Sequence, residues 1–175
     1  MKNTTEKKDI IKLVGLSART NNIKEINPLT GKIGPLVQRF FLNALGNKIA
    51  NLKNPGTTYS VYTEYESDHT GEYTYFIGAE VTKFSDNLQI QDASEKIDFK
   101  TIEIPKQTYT KFTTNPGPLP QSVIAAWQKI WFMNDHQIGG KRNYIADYEI
   151  FDERAKNPMN AVLDIYIGIE DKVKN

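Results

Sequence analysis

The amino-acid sequence predicts an α+β fold built from two similar modules, each a strand, a helix and a two-stranded hairpin, related by a pseudo-twofold axis. Three observations predict it. Each half contains one apolar stretch at helical spacing, each such stretch is followed by two segments typical of paired strands, and short motifs recur in the same order in both halves. We expect an antiparallel sheet backed by two main helices.

The first module is expected at about residues 10–84. Its predicted elements are a strand at 10–17, a loop at 21–34, a helix at 35–46 and a hairpin formed by 58–65 and 72–81. Pro35 favours a helix start, because a residue in the first turn has no helical partner for its N–H. The polar stretch 85–96 is expected to connect the two modules.

The second module is expected at about residues 97–171 and repeats this order. Its predicted elements are strands at 99–104 and 108–113, a strongly apolar helix at 122–133 and a hairpin formed by 144–151 and 161–169. Three landmarks align the halves. These are Gly34-Pro35-Leu36 with Gly117-Pro118-Leu119, Tyr65-Glu66 with Tyr148-Glu149, and Ile77-Gly78 with Ile167-Gly168. We interpret this order as an internal duplication, and a seam between two similar units favours a concave ligand site.

Composition restricts the function. The 175 residues include 22 Lys and Arg against 21 Asp and Glu, with 39% hydrophobic residues and no cysteine. We therefore expect one folded domain at 10–171 after a flexible polar leader at 1–9, and neither disulfides nor thiol catalysis. The sequence has no long basic block, no bilayer-length apolar run and no signal peptide. These features predict a cytoplasmic protein without direct contact to nucleic acid or membranes.

Strand alternation predicts which side chains share a face of the sheet. In the last hairpin it groups Glu149, Phe151 and Tyr166 on the face away from the helices, and in the first hairpin it groups Tyr62 with Phe76. Carboxylates among aromatic rings suit a planar or cationic organic ligand. The alternatives are a solvated glutamate and tyrosines that only pair across strands.

The two tryptophans lie four residues apart on the second predicted helix. Trp127 and Trp131 fit the filling of a core, and they also fit a platform for a ligand. His69 and His136 are isolated, so we expect no metal site, and no motif for a cofactor is present.

Several segments, taken in order, resemble GyrI-like effector-binding domains. They are YTEYESD at 62–68, GEYTYFIG at 71–78, IP at 104–105 with YTKF at 109–112, AWQKIW at 126–131, DYEIF at 147–151 and IYIG at 165–168. The resemblance implies two strand–helix–hairpin modules with a cleft at their junction, and binding of bulky, often cationic and aromatic compounds. It covers nearly the whole chain, from about residue 10 to residue 170.

The resemblance also implies site residues. In related multidrug-sensing regulators a glutamate meets the positive charge of the ligand, and the matching position here is Glu149. Aromatic side chains that would stack on the ligand are Tyr62, Phe76, Tyr109 and Tyr166, to which we add Trp127 and Trp131. Burial of Glu149 is expected to raise its pKa by desolvation. No helix-turn-helix segment is present, so a stand-alone effector-binding domain is expected.

Two other functions remain open. Some GyrI-like proteins hydrolyse reactive electrophiles, and here Glu149 would then act as a general base with a tyrosine as proton donor. The family name also suggests a gyrase-modulating interaction protein, although the sequence does not identify a protein partner. Binding of a small molecule for sensing or sequestration is the leading hypothesis.

Overall fold

A computed structural model describes residues 2–92 and 95–171, and these residues form ten strands and four α-helices. In chain order the elements are β1 (Lys2–Lys8), β2 (Ile11–Thr20), α1 (Asn22–Ile26), α2 (Ile33–Leu42), β3 (Thr58–Thr63), β4 (Tyr73–Glu80), β5 (Gln89–Asp92), β6 (Glu95–Asp98), β7 (Lys100–Ile104), β8 (Gln107–Thr113), α3 (Gln121–Trp131), α4 (Asp135–Ile138), β9 (Ala146–Phe151) and β10 (Asp164–Ile169). Short 3-10 turns follow α2 and β9. The predicted α+β class is confirmed.

Eight strands form one antiparallel sheet with the order β1-β8-β10-β9-β3-β4-β2-β7. The arrangement is the same from either edge. From one edge inward the strands are β1, β8, β10 and β9, and from the other edge they are β7, β2, β4 and β3. In each half the hairpin is innermost, and β9 pairs with β3 at the centre of the sheet. The two edge strands are exchanged between halves, because β1 pairs with β8 and β7 pairs with β2.

The prediction of a flexible leader at residues 1–9 is wrong for residues 2–8, because they form the edge strand β1. Each residue of β1 faces a residue of β8, from Lys2 opposite Thr113 to Lys8 opposite Gln107. An edge strand is held mainly by its backbone hydrogen bonds and tolerates charged side chains. The polar composition of the segment therefore did not reveal its structure. The polar connector predicted at 85–96 likewise contains β5 and the start of β6, which pair as a separate hairpin.

Helices α2 and α3 cover one face of the sheet, and each covers its own core. Under α3, the buried residues Val123, Trp127 and Ile130 recur at helical spacing and pack with Ile165 and Ile167 of β10. Under α2, Phe40 is buried and packs with residues of β2 and β4.

The opposite face of the sheet is also buried. Its core combines Leu13 and Ile104, near one edge of the sheet, with Tyr59 and Tyr148 at the centre and Tyr109 near the other edge. This core is therefore continuous across the sheet from β7 to β8. Among the residues that the structure describes, no helix is long and apolar enough to cross a membrane.

Candidate functional site

Glu149 lies at the centre of the sheet, on the face that the helices cover. It is in β9, directly opposite Ser60 of β3 on one side and Ile165 of β10 on the other. Ile165 belongs to the core under α3, and this fixes the face on which Glu149 lies. The glutamate therefore lies where the two halves meet, between their helix-backed cores.

Two neutral groups donate hydrogen bonds to the same carboxylate oxygen of Glu149. The indole Nε1 of Trp127 lies 2.5 Å from Oε1 and the hydroxyl of Tyr62 lies 3.0 Å from it. Only 3% of the Glu149 residue surface is exposed. The carboxylate is thus removed from water without a cationic donor among these partners.

The two donors belong to a group of packed aromatic rings centred on Tyr62. The ring of Tyr62 lies 4.9 Å from that of Trp127, 5.3 Å from that of Tyr75 and 5.6 Å from that of Tyr73, in edge-to-face arrangements. We call these four residues the aromatic cluster. Tyr62 packs against the cores under both helices and so connects the two halves.

Burial raises the pKa of Glu149 to about 7, although the hydrogen bonds from Trp127 and Tyr62 oppose this effect. The direction is the one predicted from the sequence. The pKa of Tyr62 is raised well above its usual value, first by burial and then by the nearby carboxylate. Tyr62 is consequently a protonated donor throughout the neutral range. Glu149 is a carboxylate that can gain or lose its proton near neutral pH.

This raised pKa predicts that Glu149 destabilises the unliganded fold at alkaline pH. The folded state holds the proton more tightly than the unfolded state, so this contribution to the free energy of unfolding falls as pH rises from about 4.5 to about 7. At about 1.4 kcal/mol for each pKa unit, the full loss is about 3 kcal/mol. We expect Glu149→Gln to be more stable than the wild type at alkaline pH and similar to it in mild acid. Urea unfolding at both pH values measures this, and equal effects at the two would contradict it.

Asp147, on the same face of β9, is a buried carboxylate that, unlike Glu149, has a cationic partner. Its Oδ2 lies 2.6 Å from the guanidinium of Arg142 and accepts a hydrogen bond from the hydroxyl of Tyr65 at 2.8 Å. Its Oδ1 accepts the backbone N–H of Gly168 at 2.8 Å. Every oxygen has a partner and the charge is neutralised. We interpret Asp147 as a structural residue, in contrast to Glu149.

The strand register corrects the predicted counterpart of Glu149 in the first half. Gly78 lies opposite Tyr59, and the β9–β10 register places the matching Gly168 beside Ala146. Tyr59 and Ala146 are therefore equivalent positions in the two halves. Three residues further along each strand, Tyr62 is equivalent to Glu149. Glu66, matched to Glu149 from sequence, lies beyond the end of β3 at Thr63. The site therefore has one carboxylate, and its structural counterpart donates a hydrogen bond to it.

Of the predicted ligand residues, the structure brings together Glu149, Tyr62 and Trp127. Trp131 lies against the core under α3 and stacks on His69, with ring centroids 5.8 Å apart. The side chains that donate to Glu149 are those of Tyr62 and Trp127.

Alternation predicted that Glu149 lies with Tyr166 on the face away from the helices and that Tyr62 lies with Phe76, and both groupings are wrong. Tyr166, Phe76 and Tyr109, the last implied as a ligand residue by resemblance, lie on the face opposite Glu149. There Tyr166 stacks on Tyr148, and the ammonium of Lys8 lies 5.0 Å from its ring centroid. Assigning faces by hydrophobicity failed because both faces of this sheet are buried.

Sequence reasoning also missed three members of the site, namely Ser60, Tyr73 and Tyr75. The hydroxyl groups of Ser60 and Tyr75 are 2.8 Å apart. Burial is the main cause that raises the pKa of Tyr73 and of Tyr75, and the negative charge of Glu149 adds to it. The alternation of Tyr73 and Tyr75 in β4 was visible in the sequence. Their approach to β9 depends on the order β4-β3-β9, which the sequence did not reveal.

Within residues 2–92 and 95–171, no group of three or more acidic or histidine side chains is placed to hold a metal ion. Two surface cavities, of about 250 and 570 Å³, are lined by other residues and do not include Glu149. Glu149 and the rings of Trp127, Tyr73 and Tyr75 are buried in this conformation, and Tyr62 is partly exposed.

Comparison with protein families agrees with this architecture. Residues 4–169 match the Cass2 family, described as integron-associated effector binding protein. The chain belongs to the Cass2 family. Because this is a family of effector-binding proteins, small-molecule binding is the general function of the chain. It is also similar to YobU of Bacillus subtilis (strain 168), whose name assigns it to transcriptional regulators, with 25% identity over 93% of this chain and 94% of YobU.

Solved structures share the fold over nearly the whole chain. The integron cassette protein VCH_CASS2 from the mobile metagenome of Vibrio cholerae is 29% identical, with a TM-score of 0.70, and the match covers 96% of this chain and 95% of that protein. SAV2435, solved with tetraphenylphosphonium bound, also has a TM-score of 0.70, with 14% identity over 97% of this chain and 94% of that one. The likeness to SAV2435 shows a shared fold.

Proposed function

We propose that this Cass2 protein binds a bulky hydrophobic cation, for sensing or sequestration, with the carboxylate of Glu149 meeting the positive charge. One observation carries the proposal. A carboxylate buried at the junction of the two halves accepts hydrogen bonds from two neutral aromatic side chains, Trp127 and Tyr62, and the rings of Tyr73 and Tyr75 pack against Tyr62. A buried charge without a counter-ion is unfavourable, so a cation that supplies one gains affinity.

Aromatic rings suit the rest of such a ligand. The faces of Tyr and Trp rings attract cations, and their large apolar area favours a hydrophobic compound. SAV2435, which has the same fold, is a protein for which a complex with an aromatic cation has been solved. This likeness supports the proposed ligand class.

Access to Glu149 requires a local rearrangement. Trp127 and Tyr62 occupy the space around Oε1, and both donate to it. A quaternary cation cannot donate a hydrogen bond to the carboxylate. It must therefore displace Trp127 and Tyr62 through its charge and through contact with their rings. In this proposal Trp127 and Tyr62 rotate outward and then line the bound ligand.

The pKa of Glu149 predicts how pH affects this binding. Below about pH 7 Glu149 is mostly protonated in the unliganded protein, so a cation that pairs with its carboxylate must displace that proton. Affinity for tetraphenylphosphonium is expected to fall by about tenfold for each pH unit below this pKa and to level off above it. A neutral aromatic ligand is expected to lack this dependence.

Calorimetric titration with tetraphenylphosphonium over a pH series tests the proposal. Saturable binding that strengthens up to about neutral pH supports it, and proton release on binding below the pKa supports it further. Absence of binding at every pH, or an affinity that is independent of pH, would overturn the role of Glu149 as the counter-ion.

A further inference from the structure

A cavity of about 250 Å³ lies beside the C-terminal end of α2. Phe40 and Phe41 of α2 line it from the helix side, with Ala44 and Gly46 in the segment after the helix and Thr58 in β3. These side chains make the lining largely apolar. The cavity is separate from the groups that contact Glu149.

The strand register places this cavity next to the proposed charge site. Thr58 and Ser60 lie on the same face of β3, with Thr58 opposite Phe151 and Ser60 opposite Glu149 in β9. Residues two apart on a strand are separated by about 7 Å. The floor of the cavity is thus about one side-chain width from the position that faces the carboxylate.

Phe41 forms the boundary between the two places. It lines the cavity, and the centroid of its ring lies 6.2 Å from that of Phe151, two residues beyond Glu149 on the same face. Phe41 is 48% exposed although it is a large apolar side chain. A ligand that extends from Glu149 along β9 therefore meets Phe151, then Phe41, and then the cavity.

We infer that this cavity is a subsite for an aromatic substituent of the cation that Glu149 holds. The inference rests on the proposed function and adds a geometric requirement, namely a ring separated from the positive centre by a spacer. A cavity of about 150 Å³ lined by apolar side chains holds benzene, so about 250 Å³ has room for a substituted ring. The nearby rings of Phe40 and Phe41, at 89° to each other, offer edge and face contacts to it.

A homologous series of cations, from benzyltrimethylammonium to phenyloctyltrimethylammonium, tests this. The charge stays constant and only the reach of the phenyl ring changes. We expect affinity to rise abruptly, by about tenfold or more, at the spacer length that lets the ring enter the cavity. The matching alkyltrimethylammonium ions without a ring should show only a gradual rise.

Filling the cavity should remove this gain. A Cβ atom at Gly46 would lie 3.5 Å from the ring of Phe40, an ordinary contact, so Gly46→Leu directs a side chain into the space. We expect it to weaken the long aryl cations by about tenfold and to leave benzyltrimethylammonium unchanged. Gly34→Leu is the matched control, because Gly34 is in α2, does not line the cavity and would place its Cβ more than 4 Å from any neighbour.

Phe41→Ala provides a second variant if Gly46→Leu does not fold, since Phe41 is half exposed and its truncation leaves the core intact. It should also weaken the long aryl cations selectively. Equal effects of Gly46→Leu and Gly34→Leu, or no advantage of a ring at any spacer length, would overturn the subsite while the short cation still binds. Failure of every cation, including benzyltrimethylammonium, would contradict the proposed charge site itself and the subsite with it.

Discussion

Replacing Glu149 with glutamine is expected to weaken the binding of tetraphenylphosphonium by at least about 30-fold, while a neutral aromatic compound of similar size loses less than about threefold. Removing one partner of a desolvated charge pair costs about 2 kcal/mol or more. Glutamine preserves the shape of the side chain and an oxygen that can accept from Trp127 and Tyr62. The difference between the two ligands therefore reports on charge.

Protein stability and a surface control variant separate lost binding from unfolding and from a general change in charge. Glu149→Gln is expected to stabilise the unliganded protein at alkaline pH, so lost binding there does not arise from unfolding. Glu153→Gln, in the exposed 3-10 turn after β9, removes the same charge from the surface and should change affinity little, because solvent screens it. Equal losses for the cation and the neutral compound in Glu149→Gln would contradict the electrostatic role.

Replacing Arg142 with methionine is expected to lower the free energy of unfolding by about 3–5 kcal/mol, the largest effect on stability that we predict. Arg142 and Asp147 form a pair with side-chain exposures of 6% and 0% and an N–O distance of 2.6 Å. Removing the guanidinium leaves a buried aspartate with only Tyr65 and the backbone of Gly168 as donors.

The neighbouring residue offers a matched control. Lys141 pairs with Glu170 at 2.7 Å, but both side chains are more than half exposed. Lys141→Met should therefore change stability by less than about 1 kcal/mol. Urea unfolding of the two variants at neutral pH compares them directly. Similar losses would show that burial does not distinguish these ion pairs and would undermine the contrast between Asp147 and Glu149.

Local sequence patterns predicted the elements that position the site. Apolar spacing identified the helix that contains Trp127 and Trp131, and β-rich segments joined by turn residues identified both hairpins. These signals work because helices and strands follow short periods of the chain itself. They did not reveal β1, since polar edge strands lack an apolar period.

The sequence by itself determined the α+β class, the main helices and hairpins, and Glu149 as the residue to test. Only the tertiary structure decided which side chains surround it. Alternation states that neighbours on a strand face opposite ways, but the buried face is ambiguous when both faces are covered. The pairing of β9 with β3 and β10 resolved this, because it placed Glu149 beside Tyr62 and Trp127 and left Tyr166 on the other side. Register is a property of long-range pairing, and a single residue of slip exchanges the two faces.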